Sequence, residues 1–250
     1  MKEHNIFDIK INEVDYPELL GVIENAINLT KKIKIGYTNP YTARLTRKNR
    51  NLKNVINNFN INHVDGTGIS IAFRVIANKL VPRFNWTDYA FAFLSECERK
   101  RWSIFFLGSD QKTISVASDR VKEKYPQLKF AGFLNGYSDL NDESVSLINN
   151  SFPDILWVGL GSPKQEFWIE DNFENLNCNV VQSVGDIFNH ISGNRLRGPE
   201  LLRKFGLEWF FRLVQNPIKY FNRYVVGIPY FFFLILIYKF KGAKKISGKN

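Results

Sequence analysis

The sequence predicts an α/β fold that is Rossmann-like: a largely parallel sheet flanked by helices, with a basic helical C-terminal appendage. One observation behind this prediction is a repeated order of short apolar run, Gly/Asn/Asp turn and helical stretch, which is typical of parallel strands joined by helices. A second is the composition, since 44% hydrophobic and 23% charged residues in a chain of 250 indicate a globular protein with a large core. The third is an excess of basic residues towards the C-terminal end.

The apolar runs are four or five residues long and rich in Ile, Val and Phe, as expected of buried strands. The stretches between them repeat apolar residues three and four positions apart, which predicts helices. The predicted strands are 33–37, 61–64, 103–107, 129–133, 155–158 and 180–184. The predicted helices are 16–29, 41–59, 69–78, 87–100, 111–125 and 164–173. Ligands of such folds bind at the carboxyl ends of the strands, so the loops that follow the strands form the candidate site.

The charge is distributed very unevenly along the chain. Residues 1–194 hold 22 Lys and Arg against 22 Asp and Glu, whereas residues 195–250 hold 12 against 2. We therefore divide the chain into an α/β domain, 1–194, and an appendage, 195–250, which carries the whole net charge of +10. Such an excess predicts an anionic partner: a nucleic acid, an acidic membrane surface or a phosphorylated substrate.

The sequence of the appendage predicts two short helices separated at Pro217, followed by an apolar run. Residues 224–238 are 15 uncharged residues in succession. As a helix they would reach about 22 Å, less than the roughly 30 Å hydrocarbon core of a bilayer. Because Arg223 and Lys239 flank the run, we expect it to dock on an anionic membrane surface rather than to cross the membrane. The alternative is that it forms a core helix of the domain.

Two aspartates stand out as candidate general bases. Asp65 follows the predicted strand 61–64 and lies beside flexible glycines, where a carboxylate can take a proton from a substrate hydroxyl. Asp88 follows Trp86 and is the second candidate. From spacing alone, we favour a structural role for both: Asp65 as a helix cap or turn residue, and Asp88 as part of a helix start.

The loop 159–166, with the sequence GLGSPKQE, resembles the start of a dinucleotide-binding fingerprint. Lys164 occupies the position of the third glycine, which disfavours an oxidoreductase with a nicotinamide cofactor. Two interpretations of the loop remain. It binds a phosphate, or it starts a helix with Ser162 as cap and Pro163 as first residue.

Metal and nucleophilic catalysis find little support in the sequence. His4, His63 and His190 are scattered, and no Ser/His/Asp order or metal-ligand spacing appears. We therefore expect neither a metal nor a cofactor. Cys97 and Cys178 lie far apart in apolar surroundings, which predicts free thiols in a reducing compartment. No apolar signal segment is visible at the start of the chain, so we expect a cytoplasmic location.

Several segments, taken in order, resemble the WecG/TagA/CpsF family of bacterial glycosyltransferases over about residues 10–225. The most specific are GSPKQE and GLEWxxRL, while any single segment is weak. The matching segments are 64–68, 82–83 with Asp88, 158–166, 184–188, 192–193, 197–199 and 205–213.

This resemblance implies an inverting enzyme. Such an enzyme moves an N-acetylmannosamine-type sugar from a UDP donor to undecaprenyl-diphosphate-linked GlcNAc, during synthesis of wall teichoic acid, common antigen or capsule. It also implies that Asp65 is the catalytic base and that further residues bind substrate, those after 194 closing over the site at the membrane. The implied substrate-binding residues are Thr38, Asn39, Gly66, Arg83, Asp88, Gly161, Gln165, Glu166, Arg195, Arg197, Arg203 and Arg212.

Two positions depart from the family pattern. Tyr37 stands where the family's Thr-x-Asn motif begins, and Trp86 stands where a glycine is usual. We expect these differences to bear on the identity of the donor or acceptor sugar more than on the class of reaction.

The partners implied are a UDP-sugar donor, a lipid-diphosphate-linked acceptor and an anionic membrane surface, with the protein peripheral on the inner face of the cell membrane. The resemblance also allows a homo-oligomer formed through the surface that the appendage would otherwise cover. Metal-independent transfer is expected, since arginines and loop N–H groups can neutralise a departing diphosphate. The alternative function is nucleic-acid binding by the basic appendage, but consecutive aromatic and aliphatic residues suit lipid better than base stacking.

Overall fold

The computed structural model describes residues 1–195, 198–199, 202 and 207–247, with the backbone alone for 208, 219 and 241–247. Its centre is one eight-stranded sheet in the order β1-β2-β4-β3-β8-β7-β5-β6. Every pair of neighbouring strands is parallel except β1 and β2. The strands are β1 Lys2–Ile6, β2 Ile9–Glu13, β3 Ile33–Thr38, β4 Ile61–Val64, β5 Ser103–Gly108, β6 Lys129–Leu134, β7 Ile155–Gly159 and β8 Val180–Ser183. The predicted α/β fold with a largely parallel sheet is confirmed.

The six predicted strands are all present, each within a residue of its predicted bounds. The antiparallel hairpin of β1 and β2 was not among the predictions. Its two-residue turn is formed by Phe7 and Asp8, both with positive φ, 59° and 61°. Tight hairpin turns of this kind favour glycine, asparagine and aspartate, and a phenylalanine in the first position makes the turn signal weak at this point.

Helices cover both faces of the sheet, as the alternation of elements predicts. The helices are α1 Tyr16–Asn28, α2 Pro40–Lys48, α3 Arg50–Asn57, α4 Thr67–Ala77, α5 Trp86–Lys100, α6 Gln111–Lys124, α7 Asp142–Asn150, α8 Lys164–Asn172 and α9 Ile187–Ile191. The helices of the appendage are α10 Glu208–Gln215, α11 Pro217–Phe221 and α12 Gly227–Ser247, and the π-helical turn Asn222–Val226 lies between the last two. The predicted helix break at Pro217 is thereby confirmed.

The prediction of one helix over 41–59 is wrong, because the chain breaks at Asn49. This residue has an extended backbone, with φ −131° and ψ 102°, and its side chain accepts the amide of Leu52 as the cap of α3. Asparagine competes with the helix backbone for hydrogen bonds, so it ends one helix and starts the next. Helices α7 and α9 lie outside the predicted set.

The appendage packs against the rest of the chain through α12. Phe231, Leu234 and Ile235 are buried, at most 2% exposed, in one hydrophobic cluster with the β1-β2 hairpin and helices α2, α3 and α4. The opposite face of the same helix is exposed, with Phe233 at 58% and Leu236 at 51%. Thus the run predicted to dock on a membrane is a core helix along one face and an open apolar surface along the other.

We expect this packing to contribute strongly to stability. Replacing buried Phe231 by Ala should lower the free energy of unfolding by about 3–5 kcal/mol, since a buried aromatic ring is lost and a cavity is left. The same change at exposed Phe233 should cost less than about 0.5 kcal/mol. Urea unfolding followed by tryptophan fluorescence measures both. Equal stability of the two variants would mean that α12 does not pack on the domain.

Candidate functional site

A cleft lies where the fold class predicts it, outside the carboxyl ends of β3, β4 and β8. These ends meet because β4 and β8 pair with β3 on its two sides. The appendage closes the cleft through residues of α10, α11 and α12, and the enclosed volume is about 680 Å³. This volume falls within the roughly 300–1,000 Å³ of ordinary small-molecule sites.

Asp65 lines this cleft, as do Asp88 and Asp186. It directly follows β4, its amide donates to the carbonyl of Thr38 at 2.9 Å, and its Oδ2 accepts from Asn39 Nδ2 at 3.2 Å. The cap of α4 is Gly66, with no side-chain hydrogen bond, so the interpretation of Asp65 as a helix cap is wrong. A half-buried carboxylate with an oriented oxygen is suited to proton transfer.

Asn39 is held rigidly by its own role as the cap of α2. Its Oδ1 accepts the amides of Tyr41 and Thr42, each at 3.0 Å, which satisfies donors at the start of the helix. Only the Nδ2 group remains to face Asp65. The same side chain therefore caps a helix and orients the candidate base.

Three of the predicted substrate-binding residues lie behind the wall of the cleft. Thr38, Gln165 and Glu166 are all at most 3% exposed. The hydroxyl of Thr38 donates to Asn62 Oδ1 at 3.1 Å, an interaction within the protein. Direct contact of these residues with a substrate stays a prediction, while their present bonds support the loops that line the cleft.

Gln165 links three parts of that wall. Its Nε2 donates to the hydroxyl of Tyr37 at 3.2 Å and to Glu166 Oε1 at 2.8 Å, and its Oε1 accepts the amide of Gly185 at 3.1 Å. Gly185 has φ +61°, and a Cβ atom there would lie 2.5 Å from the Tyr37 hydroxyl. Only glycine allows the loop after β8 to approach β3 this closely.

Glu166 is a buried acid. Its Oε1 accepts from Ser162 Oγ at 2.7 Å, while its Oε2 has no hydrogen-bond partner in the described part of the chain. Burial raises the pKa of Glu166 above its ordinary value of 4.5, because the interior disfavours the ionised form. The prediction of Ser162 as a helix cap is wrong, since α8 starts at Lys164 with Pro163 before it and the Ser162 hydroxyl is used by Glu166.

The side of the cleft formed by the appendage is cationic. Arg195 forms an ion pair with Asp186 and donates to the hydroxyl of Tyr220. Burial lowers the pKa of Arg195, and the positive charges of Arg212 and Arg223 lower it further. A guanidinium nevertheless stays charged at neutral pH, so these side chains keep their positive charges, of which that of Arg195 is already paired with Asp186.

The cleft brings together most of the predicted residues. Asp88 is exposed in the first turn of α5, whose cap is Asn85, so its interpretation as part of a helix start is confirmed while its side chain also lines the cleft. The predicted residues that line the cleft are Asn39, Asp65, Gly66, Arg83, Asp88, Gly161, Arg195 and Arg212. Arg197 and Arg203 lie outside the described residues.

Other residues of the cleft were missed by sequence reasoning. Asp186 lies in a loop that follows a predicted strand, and Arg223 lies on a basic stretch of the appendage, so both had a usable signal. Tyr41 and Arg44 had no usable signal in the sequence, because their role in the cleft depends on contacts with the appendage, which is distant along the chain. Within the described ranges, no three His, Cys, Asp or Glu side chains group as metal ligands.

Comparison with known proteins gives one consistent result. The model of the "Glycosyl transferase WecG/TagA/CpsF family" matches residues 4–245. A protein of Bacillus spizizenii is 28% identical over 94% of this chain and 93% of its own length. A protein of Bacillus subtilis is 30% identical over 81% of this chain and 78% of its own length. A protein of Staphylococcus aureus is 28% identical over 84% of each chain. All three relatives are named N-acetylglucosaminyldiphosphoundecaprenol N-acetyl-beta-D-mannosaminyltransferase.

The buried acid makes stability depend on pH. Since the folded-state pKa of Glu166 is raised above 4.5, the folded protein retains a proton that the unfolded chain releases, and stability is lost as pH rises above that value. Glu166→Gln has no such proton. Its Tm relative to the wild type should therefore increase as pH rises above 4.5 and level off once pH exceeds the raised folded-state pKa of Glu166, as measured by differential scanning fluorimetry from pH 4.5 to 8.

The matched control is Asp171→Asn, an exposed acid on the same helix, whose Tm difference should show no such rise. A constant difference between Glu166→Gln and the wild type over the whole range would contradict the assignment.

Proposed function

The chain belongs to the WecG/TagA/CpsF family of glycosyl transferases, and on this premise we propose which reaction it performs. It transfers an N-acetylmannosamine-type sugar, with inversion, from a UDP donor to undecaprenyl-diphosphate-linked N-acetylglucosamine. The names of the three relatives support the sugar and the acceptor. The observation that carries the proposal is the cleft itself, in which an oriented carboxylate, Asp65, lies with the arginines of the appendage.

In the proposed reaction Asp65 acts as the general base. The acceptor hydroxyl loses its proton to the Asp65 carboxylate while its oxygen forms a bond to the anomeric carbon of the donor sugar. The bond from that carbon to the diphosphate of UDP breaks, and UDP leaves with the electron pair. One displacement of this kind inverts the anomeric centre and needs no covalent enzyme intermediate. Asn39 keeps Asp65 Oδ2 in place for the proton transfer.

The negative charge that develops on the leaving diphosphate requires positive groups close by. Arg195, Arg212 and Arg223 line the cleft on the side formed by the appendage, and planar guanidinium groups bind phosphate oxygens in pairs. We propose that these side chains stabilise UDP as it departs and that transfer is independent of a metal. Arg197 and Arg203 are proposed as further members of the same cationic group.

We also propose that the appendage docks on an anionic membrane surface at the cytoplasmic side, where a lipid-linked acceptor is held. Exposed apolar side chains recur along the appendage, several of them three or four residues apart, and exposed apolar side chains in this number mark an interaction surface. These exposed side chains include Val214, Ile218, Phe221, Val225, Val226, Phe232, Phe233, Leu236 and Phe240. The exposed Lys239 adds positive charge beside these side chains, which favours anionic lipid.

The segment Asn222–Phe240 is long and apolar enough to cross a membrane by length and composition, with a mean hydropathy of 1.5. Only 28% of it is buried in the fold. Crossing would nevertheless remove Phe231, Leu234 and Ile235 from the hydrophobic cluster that they share with the domain. We therefore propose that it lies in the membrane interface, with one face on the protein and the other in lipid. Self-association through this surface stays a prediction.

The reaction is tested by incubating the purified protein with UDP-N-acetylmannosamine and a short-chain lipid-diphosphate-GlcNAc acceptor. Asp65→Asn should fold normally yet lower turnover by about 100-fold or more, the scale of a lost general base. NMR of the product should show an inverted anomeric centre.

Two results would change this proposal. Near-normal turnover of Asp65→Asn would reassign the base, with Asp88→Asn as the next variant to measure. Loss of wild-type activity in EDTA, restored by Mg²⁺ or Mn²⁺, would refute metal independence.

Membrane docking is tested with the double variant Phe233→Ser and Leu236→Ser. It should lower affinity for vesicles that contain phosphatidylglycerol by tenfold or more, since each exposed side chain contributes about 1.5–3 kcal/mol when it is buried in lipid. Leu147→Ser, an exposed leucine of α7, is the matched control and should leave vesicle binding unchanged. Salt-sensitive binding to DNA or RNA without vesicle binding would instead support the nucleic-acid alternative.

A further inference from the structure

We propose that Tyr41 and Arg44 are positioning residues that hold the appendage over the cleft, and that helix α2 thereby couples docking of the appendage to the placement of Asp65. Tyr41 acts through Arg223, and Arg44 acts through the π-helical turn Asn222–Val226. The inference rests on the proposed function for its effect on sugar transfer, but the contacts that it concerns are measured independently of activity.

Tyr41 holds the guanidinium group of Arg223. The guanidinium carbon lies 4.6 Å from the centre of the Tyr41 ring, and on the appendage side it lies 5.7 Å from the ring of Tyr224. A cation over the face of an aromatic ring at this distance is attracted by the ring electrons. Arg223 is thus held between one ring of the domain and one ring of the appendage, at a position that lines the cleft.

Arg44 holds the backbone of the π-helical turn Asn222–Val226, which contains Arg223 and directly precedes α12. Its Nη1 donates to the carbonyl of Asn222 at 3.0 Å and to the Asn222 side-chain oxygen at 3.3 Å. That carbonyl also accepts the amide of Gly227, the wide bond of a π-helical turn. Turns of this type are rare in proteins as a whole, and those that occur often lie at functional sites. A charged donor that stabilises this turn therefore indicates a functional role for the contact.

The same helix holds the candidate base at its other end. Asn39 Oδ1 accepts the amide of Tyr41 itself, and Asn39 Nδ2 donates to Asp65. Only about 7.5 Å of rigid helix separates Asn39 from Arg44 at 1.5 Å per residue. A shift of α2 that releases the appendage therefore also moves the amide that orients Asp65.

Packing at the start of α2 strengthens this coupling. A Cβ atom on Gly68 would lie 2.4 Å from Pro40 and 3.3 Å from Phe231. Helices α2, α4 and α12 therefore meet at one glycine, with no space for independent movement. Further along α2, Arg47 donates to the hydroxyl of Tyr238 at 3.1 Å, so the contact with the appendage continues away from the cleft.

The test uses the full chain and six variants: Tyr41→Leu, Tyr41→Phe, Arg44→Ala, Lys48→Ala, Arg223→Ala and the double variant Tyr41→Leu with Arg223→Ala. Hydrogen exchange of the amides in the turn Asn222–Val226 should become faster in Arg44→Ala and stay at the wild-type rate in Lys48→Ala, which removes an exposed charge of the same helix. Unchanged exchange in Arg44→Ala overturns the role of Arg44, whether or not the protein transfers sugar.

In the transfer assay with vesicles, Tyr41→Leu and Arg44→Ala should each lower kcat/KM by about tenfold, the scale of one partly desolvated cation–π contact or charged hydrogen bond. Tyr41→Phe keeps the ring and should stay within about twofold of the wild type. Because Tyr41 acts through Arg223, the effect of Tyr41→Leu should disappear in an Arg223→Ala background.

Two outcomes overturn the role of Tyr41. If Tyr41→Phe is as defective as Tyr41→Leu, the hydroxyl matters and the residue contacts substrate directly. If Tyr41→Leu has the same effect with and without Arg223, the two residues are not coupled. A wild-type protein that transfers no sugar would instead refute the proposed function, and the exchange measurement would still decide the contact of Arg44 with the turn.

Discussion

Burial of one face of α12 against the domain is the interaction on which the site depends. Phe231, Leu234 and Ile235 place the appendage across the carboxyl edge of the sheet, and the arginines of the preceding helices then line the cleft that contains Asp65. The energy of this arrangement is mainly hydrophobic, whereas the chemistry that it assembles is electrostatic. Neither the domain without the appendage nor the appendage by itself contains both the carboxylate and the full set of cations that form the cleft.

The polar side chains that orient Asp65 and support the walls of the cleft also make hydrogen bonds that hold the fold together. The carboxylate of Asp65 is oriented by an asparagine whose other oxygen is already used by a helix cap. On the opposite wall, Gln165 and Glu166 are buried and bonded to Tyr37, Ser162 and the loop after β8. These interior bonds fix the backbone of loops whose outer surfaces line the cleft, so shape and chemistry are supplied by different residues of the same segments.

Much of this fold and part of the site could be predicted from the sequence. Buried parallel strands appear as continuous apolar runs, and the loop after 61–64 therefore identified Asp65 as a candidate base. The β1-β2 hairpin could not be predicted, because Phe7 and Asp8 form its turn without glycine. Arg44 could not be identified either, since it contacts Asn222, 178 positions away, and local patterns carry no information about such pairs. The burial of Glu166 depends likewise on the assembled interior.

The helix α12 is apolar on both of its long faces, and this has a consequence for its rotational register. Rotation of α12 by half a turn about its axis would bury the other apolar face, so hydrophobic burial alone discriminates weakly between the two orientations of the helix. Two sets of hydrogen bonds remove the ambiguity: one to the Asn222 carbonyl, bound by Arg44 in the turn before α12, and one to the Tyr238 hydroxyl, shared by Asp8 and Arg47 near the middle of the helix. Changes to these few hydrogen bonds would leave a hydropathy profile untouched and still turn the cations away from Asp65, the candidate base.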